Sequence, residues 1–347
     1  MNKIVIPVSY MGSGSSAITD LISEFDGYVA PMGSDELILM HYPNGVFDLE
    51  DKLLLANNAL RSDEAIRSFE KAMAELNDTK FWWAGNYKKS VTRNFCQYVE
   101  EYVDGLTQYE LDAFWYMQEK PTLCILMKRM LGRIMRLISF NRIVLKRPLR
   151  YKNMKISFIQ ADEFYEYSKE FLIKIFNDLG LREHNLILDQ LFTPFDIHRC
   201  SRYFADNIEC LVVDRDPRDV FLLNKYVWKP VDNPVPYPTD VEKFVKYYKS
   251  IREMGQKYET EYIHLIHFED MVYKYDETLK QIKDILKIEE GQHSNPKGCF
   301  NPEKSIDNTQ IFLDDRYREE TLIIERQLPE YLYKFPYERK ADTKNSF

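Results

Sequence analysis

Two glycines and three serines stand together at Gly12, Ser13, Gly14, Ser15 and Ser16, between an apolar run ending at Tyr10 and a helical pattern. Glycine permits the positive φ angles of a tight turn, and N–H groups at a helix start converge where the helix dipole favours negative charge. Serine hydroxyls add donors. The chemistry implied is anion binding, with phosphate the natural guest. No lysine follows Gly14, so the turn is not a GxxxxGK loop. Nor does it complete the GxGxxG pattern of dinucleotide sites, because Ala17 holds the third glycine's place, a position that tolerates alanine. With that pattern, an acid near Glu36 would fall where a ribose is bound. The plain alternative is a strand–helix connection with no guest.

A second anion-suited end lies in "ECLVVDRDPRDVFLLNKY", where a strand-like run leads into Arg215-Asp216-Pro217-Arg218-Asp219 and a new helix. Pro217 suits a first helical turn and Asp219 complements the helix dipole. Arg215 leaves the carboxyl end of a strand, where open α/β sheets bind their ligands. An ion-pair cluster that merely fastens a loop is the competing account. Two such ends favour one ligand with two separated phosphates.

Together, "SYMGSGSS" and "VVDRDPRDV" resemble the sulfotransferase family, and bacterial, carbohydrate-acting members in particular. "IHLIHFEDMVYKYDETLKQIKDILKI" (Ile263–Ile288) and "FNPEKSIDNT" (Phe300–Thr309) are similar to later family segments, so the match covers residues 4–36 and about 186–310. The resemblance implies a P-loop-like parallel sheet flanked by helices and 3′-phosphoadenosine 5′-phosphosulfate as donor, without a metal. The first loop (Gly12, Ser13, Gly14, Ser15, Ser16) would grip the 5′ end, and Arg215 the 3′-phosphate. Gly12 stands where the family carries a lysine or arginine that stabilises the leaving phosphate. Lys88, Lys89, Arg93, Lys297 and Lys304 are candidate replacements. The family's serine eight residues after the arginine is Leu223 here, which leaves Asn224 as the nearest polar substitute. Glu36 matches the position of the general base, with His41 as competitor; an exposed helix-start acid is the structural alternative for Glu36. Structural roles are expected for His198, His264 and His267. The acceptor implied is a saccharide or lipid-linked glycan. Two other functions stay open: a non-catalytic nucleotide- or glycan-binding protein of the same fold, and a Rossmann-like enzyme using a nucleotide sugar or dinucleotide.

These residues need elements to position them. Strand-like runs are expected at Ile4–Ser9, Gly27–Ala30, Phe81–Ala84, Glu209–Asp214 and Tyr262–Phe268. Helical patterns cover Ser62–Leu76, Phe164–Leu179, Val241–Lys257 and Asp276–Leu286. Alternating strands and helices predict a parallel sheet covered on both faces. A single domain over residues 1–347 is expected, with a helical insertion at about 88–205. "KPVDNPVPYPTD" (Lys229–Asp240) reads as a semi-rigid loop, and "RKADTKNSF" as a frayed tail.

Composition sets the outer limits. The chain has 347 residues, 45% of them hydrophobic, and a net charge of −8, which argues against nucleic-acid partners. Cys96, Cys124, Cys200, Cys210 and Cys299 form no CxxC pair and are expected to be buried or half-buried thiols. The start runs straight into a strand, and no apolar run reaches the ~20 residues of a membrane span. A cytoplasmic protein is expected. Against this acidic background, residues 121–160 hold ten Lys or Arg and no acid. Lys128, Arg129, Arg133 and Arg136 fall on one side of a helical wheel, with Leu126, Met127, Met130, Leu131, Ile134, Leu137 and Ile138 on the other. A helix packed on the core with a solvated basic face is one reading. A contact with anionic membrane or glycan through residues 128–155 is the other.

Overall fold

The computed structural model describes residues 2–33, 35–112, 115, 122–146, 148, 153–204, 207–231, 235–255 and 260–339. Among them are seven strands: β1 (Ile4–Ser9), β2 (Tyr28–Val29), β3 (Tyr109–Leu111), β4 (Met154–Ile156), β5 (Asn185–Ile187), β6 (Ile208–Asp214) and β7 (Ile263–His267). Two compact units form, one from Met1–His41, Leu76–Phe95 and Leu172–Phe347, the other from Tyr42–Glu75 and Cys96–Phe171.

The first unit is built on a parallel sheet in the order β2-β5-β1-β6-β7. Val5, Ile187, Leu211, Val213 and Ile266 turn one sheet face onto Ile18, Leu21, Ile22, Met271, Ile282 and Leu286 of three following helices. The opposite-facing Ile4, Ile6, Val8, Cys210 and Val212 are buried as well. Strands buried on both faces read as continuous apolar runs, which is why β1 and β6 were legible. The expected α/β architecture, a parallel sheet flanked by helices, is therefore present. From β1 the chain crosses to β2 on one side, and from β6 to β7 on the other. The β1–β6 boundary is thus a topological switch point, where loops at the strands' carboxyl ends part and leave a crevice.

Two expectations about the sheet are corrected. Phe81–Ala84 is not a strand; Lys80 and Gly85 form one isolated antiparallel bridge around it. Gly85 has φ of +84°, and a Cβ there would lie 2.2 Å from the Thr79 carbonyl oxygen, so the chain reverses tightly. In the other direction, β5 was missed and sits inside the sheet between β2 and β1.

The second unit draws on residues 42–75 together with 96–171, while residues 172–205 of the expected insertion return to the first unit and supply β5. It is mainly helical, with the antiparallel pair β3–β4 beside it. Trp115 packs with Met154 and Ile156, and its indole N–H donates to Asp63 at 2.7 Å. Cys200 and Cys210 are buried with sulfurs 3.9 Å apart; Cys96, Cys124 and Cys299 are exposed, contrary to expectation. Among the described residues no helix is long and apolar enough to cross a membrane. Residues 232–234 of the proline loop, 256–257 of an expected helix and 340–347 of the tail lie outside the described residues.

Candidate active site

The glycine-serine turn closes when the Ser13 N–H donates to the Tyr10 carbonyl at 2.8 Å. Gly14 then opens the Ser15–Ile22 helix at φ +108°, and Gly12 precedes it at +81°. Both glycines are also pressed by aromatic rings. A Cβ on Gly12 would lie 2.7 Å from the Trp228 indole, and one on Gly14 3.0 Å from the Phe268 ring. The residue that replaces the expected cation is therefore glycine for two physical reasons, backbone sign and a ring lying on it.

The Ser13 hydroxyl is already spent, donating to the Val213 carbonyl at 2.6 Å and so tying the turn to β6. Ser16 is exposed. Among the described residues, the N–H groups of Gly14, Ser15 and Ser16 find no partner, as the first N–H groups of a helix do.

Arg215 follows β6 and is buried. Its Nη1 donates to the Gly12 carbonyl at 3.3 Å, its Nη2 to the Asn308 carbonyl, and its plane lies 4.5 Å from the Phe268 ring centre. It thus joins the first loop to the late loop, while its Nε is buried with no partner. Burial pushes its pKa down, against the opposing pull of Asp219, Glu269 and Asp216. Neighbouring acids serve the backbone. Asp216 caps the Pro217–Leu222 helix and holds Arg218 through two nitrogens at 2.9 and 2.8 Å. Asp219 accepts the N–H groups of Gln310 and Ile311 at 2.8 and 2.9 Å.

Asn224 is not offered to a ligand. It is fully buried; its amide donates to the Tyr237 carbonyl at 3.0 Å and accepts the Tyr237 N–H at 3.2 Å. It lies in a π-helical stretch, Leu223–Trp228, a form that recurs at functional sites and here brings Trp228 over Gly12. Lys304 is exposed on the Pro302–Ser305 helix and does not line the cavity described next. Lys88 pairs with Asp78 and Lys297 with Glu303; Lys89 and Arg93 are exposed. A cation not foreseen stands nearer the first loop. Arg252, on the Val241–Met254 helix, lies 4.2 Å from the Tyr10 ring centre and grips Asp214 with both terminal nitrogens.

A cavity of about 440 Å³ opens beside the turn. Ser15, Glu36 and His41 line it together, with aromatic walls that include Trp83, Phe195 and Tyr247. Glu36 is fixed by its N–H, which donates to the Trp83 carbonyl at 2.6 Å. Burial, and then the charges of Asp189 and Asp35, raise its pKa to about 8. Asp189, two residues past β5, is raised to about 7, first by burial; the Ser15 hydroxyl donates to it at 3.4 Å. A carboxyl half protonated at neutral pH tolerates an anion beside it.

His41 Nε2 lies 2.8 Å from the Gln190 carbonyl, and burial holds its pKa below the usual value against the opposing charge of Asp196. Gln190 adopts φ of +56° and sends its amide to Ser9 Oγ at 2.7 Å, so one strained residue orders both β1's end and His41. Asp189, Gln190 and Arg252 are the residues that sequence reasoning missed. A short apolar run, Leu186–Leu188, ending in Asp189-Gln190 was the available signal for the first two. His264 pairs with Glu209 at 2.9 Å and His267 lies beside Tyr333, which are structural positions.

No family model matches this chain, and no curated protein does either. Among solved structures, the chain is similar to the sulfotransferase domain from the curacin biosynthetic pathway at 16% identity and TM-score 0.38, over 96% of this chain and 99% of that one. It is also similar to the sulfotransferase domain from the Synechococcus PCC 7002 olefin synthase, at 11% identity and TM-score 0.36, over 96% of this chain and 94% of that one. At such distances the chain's own side chains must carry any reading of function.

Proposed function

We propose that the protein transfers a sulfuryl group from 3′-phosphoadenosine 5′-phosphosulfate to a hydroxyl of a saccharide acceptor, free or lipid-linked. The observation that carries this reading is one cavity shared by Ser15 of the anion turn and by Glu36 and His41. The free N–H groups of Gly14 to Ser16 suit the 5′ end of the donor, and the unpartnered Nε of Arg215 suits its 3′-phosphate. Ser13 and Asn224 do not contribute, since their polar groups are already bonded. In the transfer, the acceptor oxygen forms a bond to sulfur as the bond from sulfur to the phosphate oxygen breaks. Glu36 takes the hydroxyl proton. Aromatic walls accept the apolar face of a sugar ring, and the cavity's few polar groups orient its hydroxyls.

The test is to incubate the protein with labelled donor and a panel of saccharides, after a binding screen with 3′-phosphoadenosine 5′-phosphate, NAD and nucleotide sugars. Selective binding of the bisphosphate together with label transfer supports the reading; selective binding of NAD or a nucleotide sugar replaces it with a Rossmann-like one. A specific observation favours a binding-only alternative. Trp228 fills the place of the missing cation, and Arg252 is already neutralised by Asp214. Bisphosphate binding without transfer to any saccharide would establish that alternative.

Arg215→Ala is expected to weaken binding of the bisphosphate by about 1.5–3 kcal/mol, the loss of a charged hydrogen bond. Calorimetry with adenosine 5′-phosphate as comparator checks the assignment, because that ligand should bind weakly to the unsubstituted protein. Equal affinity for the two nucleotides would remove the 3′-phosphate site.

A further inference from the structure

The Leu123–Ile138 helix in the second unit is capped by Thr122, whose hydroxyl accepts the Ile125 N–H. Among its apolar residues, Ile125 is buried. The seven that share one side of the wheel are all exposed, rising to 77% at Leu137 and 74% at Ile138. Just past the helix, Phe140 is 91% exposed and Ile143 is exposed as well, whereas Val144 and Leu145 line the other side. An apolar stripe of this length turned to water marks an interaction site.

The other side of the same helix is a concavity. Lys128, Arg129, Arg133 and Arg136 close around a space of about 340 Å³ against Lys146 of the following segment, and among the described residues no acid lines it. The Arg129 Nη2 is buried there without a hydrogen-bond partner. Between Leu123 and Lys146 the chain has no Asp or Glu at all. Arg147, Arg150 and Lys152 of the same basic run lie outside the described residues.

We infer that this helix is a docking surface for an anionic phospholipid bilayer. Its outward apolar side enters the interface, and the long basic side chains of the other side reach back along their stems to the lipid phosphates at its edges. Charge complementarity chooses this occupant. A second copy of an acidic chain would bring its own identical cations against the same pocket, whereas an anionic leaflet supplies many phosphates beside an apolar layer. A net charge of −8 for the whole chain, this basic segment included, makes the attachment local and reversible, not a general attraction. The inference does not depend on the reaction proposed above.

The test is sedimentation of the full chain with vesicles of phosphatidylcholine alone and of phosphatidylcholine mixed with phosphatidylserine, at low and high salt. Binding to the mixed vesicles is expected, weak or absent on the neutral ones, and lost as salt shortens the screening length. Leu137→Glu with Ile138→Glu should abolish it, and Arg133→Glu with Arg136→Glu should weaken it by at least about tenfold. All four residues are exposed, so unchanged melting curves are expected and control for folding. No binding to mixed vesicles at low salt overturns the proposal. So does binding that both variant pairs leave intact, or equal binding to neutral vesicles. Heparin binding without vesicle binding would assign the pocket to a glycan, and a dimer lost in the Leu137→Glu variant, without vesicle binding, would assign the stripe to a second copy.

Discussion

Glu36→Gln is expected to lower turnover by roughly 10²–10⁴-fold while leaving affinity for 3′-phosphoadenosine 5′-phosphate near normal. The substitution keeps shape and removes basicity at a carboxylate that, alone among the described residues, lines the cavity with Ser15. Its pKa of about 8 also dictates the pH profile. A base must be ionised, so the rate should climb through neutrality and level off above pH 8. Asp189→Asn removes a charge that raises Glu36, and the climb should move to lower pH. The same shift predicts stability with the opposite sign. The folded-state pKa lies above the ordinary carboxylate value of 4.5, so the unfolded chain loses this proton first, and stability is lost as pH rises from 4.5 towards 8. Glu36→Gln should therefore match the parent near pH 4 and exceed it in melting temperature at pH 8. Steady-state rates and thermal melts across pH 4–9 measure both effects. Unchanged turnover, with an inflection below 6.5, would transfer the role to His41, whose pKa is held down by burial.

Arg252→Ala is expected to destabilise the protein by about 3–5 kcal/mol, the cost of leaving a buried carboxylate without its partner. The side chains of Arg252 and Asp214 are 13% and 10% exposed, and the pair sits at the carboxyl end of β6. Burial works against the charge of Arg252, but Tyr248 and Asp214 outweigh it and hold the pKa above the usual arginine value. The guanidinium also lies 4.2 Å from the Tyr10 ring centre, so its removal loosens the base of the anion turn. Urea unfolding of Arg252→Ala, Asp214→Asn and the double variant measures the pair. The double variant should cost less than the sum of the two. A loss below about 1 kcal/mol in Arg252→Ala would make the pair an ordinary surface contact.

The parts of this fold that were legible in the sequence share a physical trait. β1 and β6 are apolar, β-branched runs bounded by turns, and burial on both faces leaves that mark on any sequence; β7, at the sheet edge, has Ile263 and Ile266 buried and Leu265 exposed. β5 has three residues. So short a run carries no period, and it followed a long helical pattern, so Asp189 and Gln190 went unnoticed with it. Phe81–Ala84 has strand-like aromatic content, but content does not reveal that Gly85 reverses the chain. Glu36 was found from a family-like position and His41 as its competitor by residue type, and the structure puts both on one cavity with Ser15. Asn224 shows a different limit. Its direction was judged from the ~100° per residue of an α-helix, and the π turn from Leu223 to Trp228 does not follow that spacing. For the Leu123–Ile138 helix, periodicity separated two sides correctly. It carries no information about which side the fold covers, and the apolar side is left open, with Lys128, Arg133 and Arg136 of the other side exposed too.

The indole resting on Gly12 has an evolutionary consequence. With a Trp228 ring atom 2.7 Å from where a Cβ would begin, and φ at +81°, a mutation that places a basic side chain at position 12 alone meets both a steric and a backbone barrier. Removing the indole alone exposes the turn without providing a charge. Each single step is unfavourable while the other position is unchanged, so the two positions form an epistatic pair, and no single substitution readily gives this loop a cation. Selection for charge at the site would act instead on residues outside the turn, among which Arg252 already stands over Tyr10.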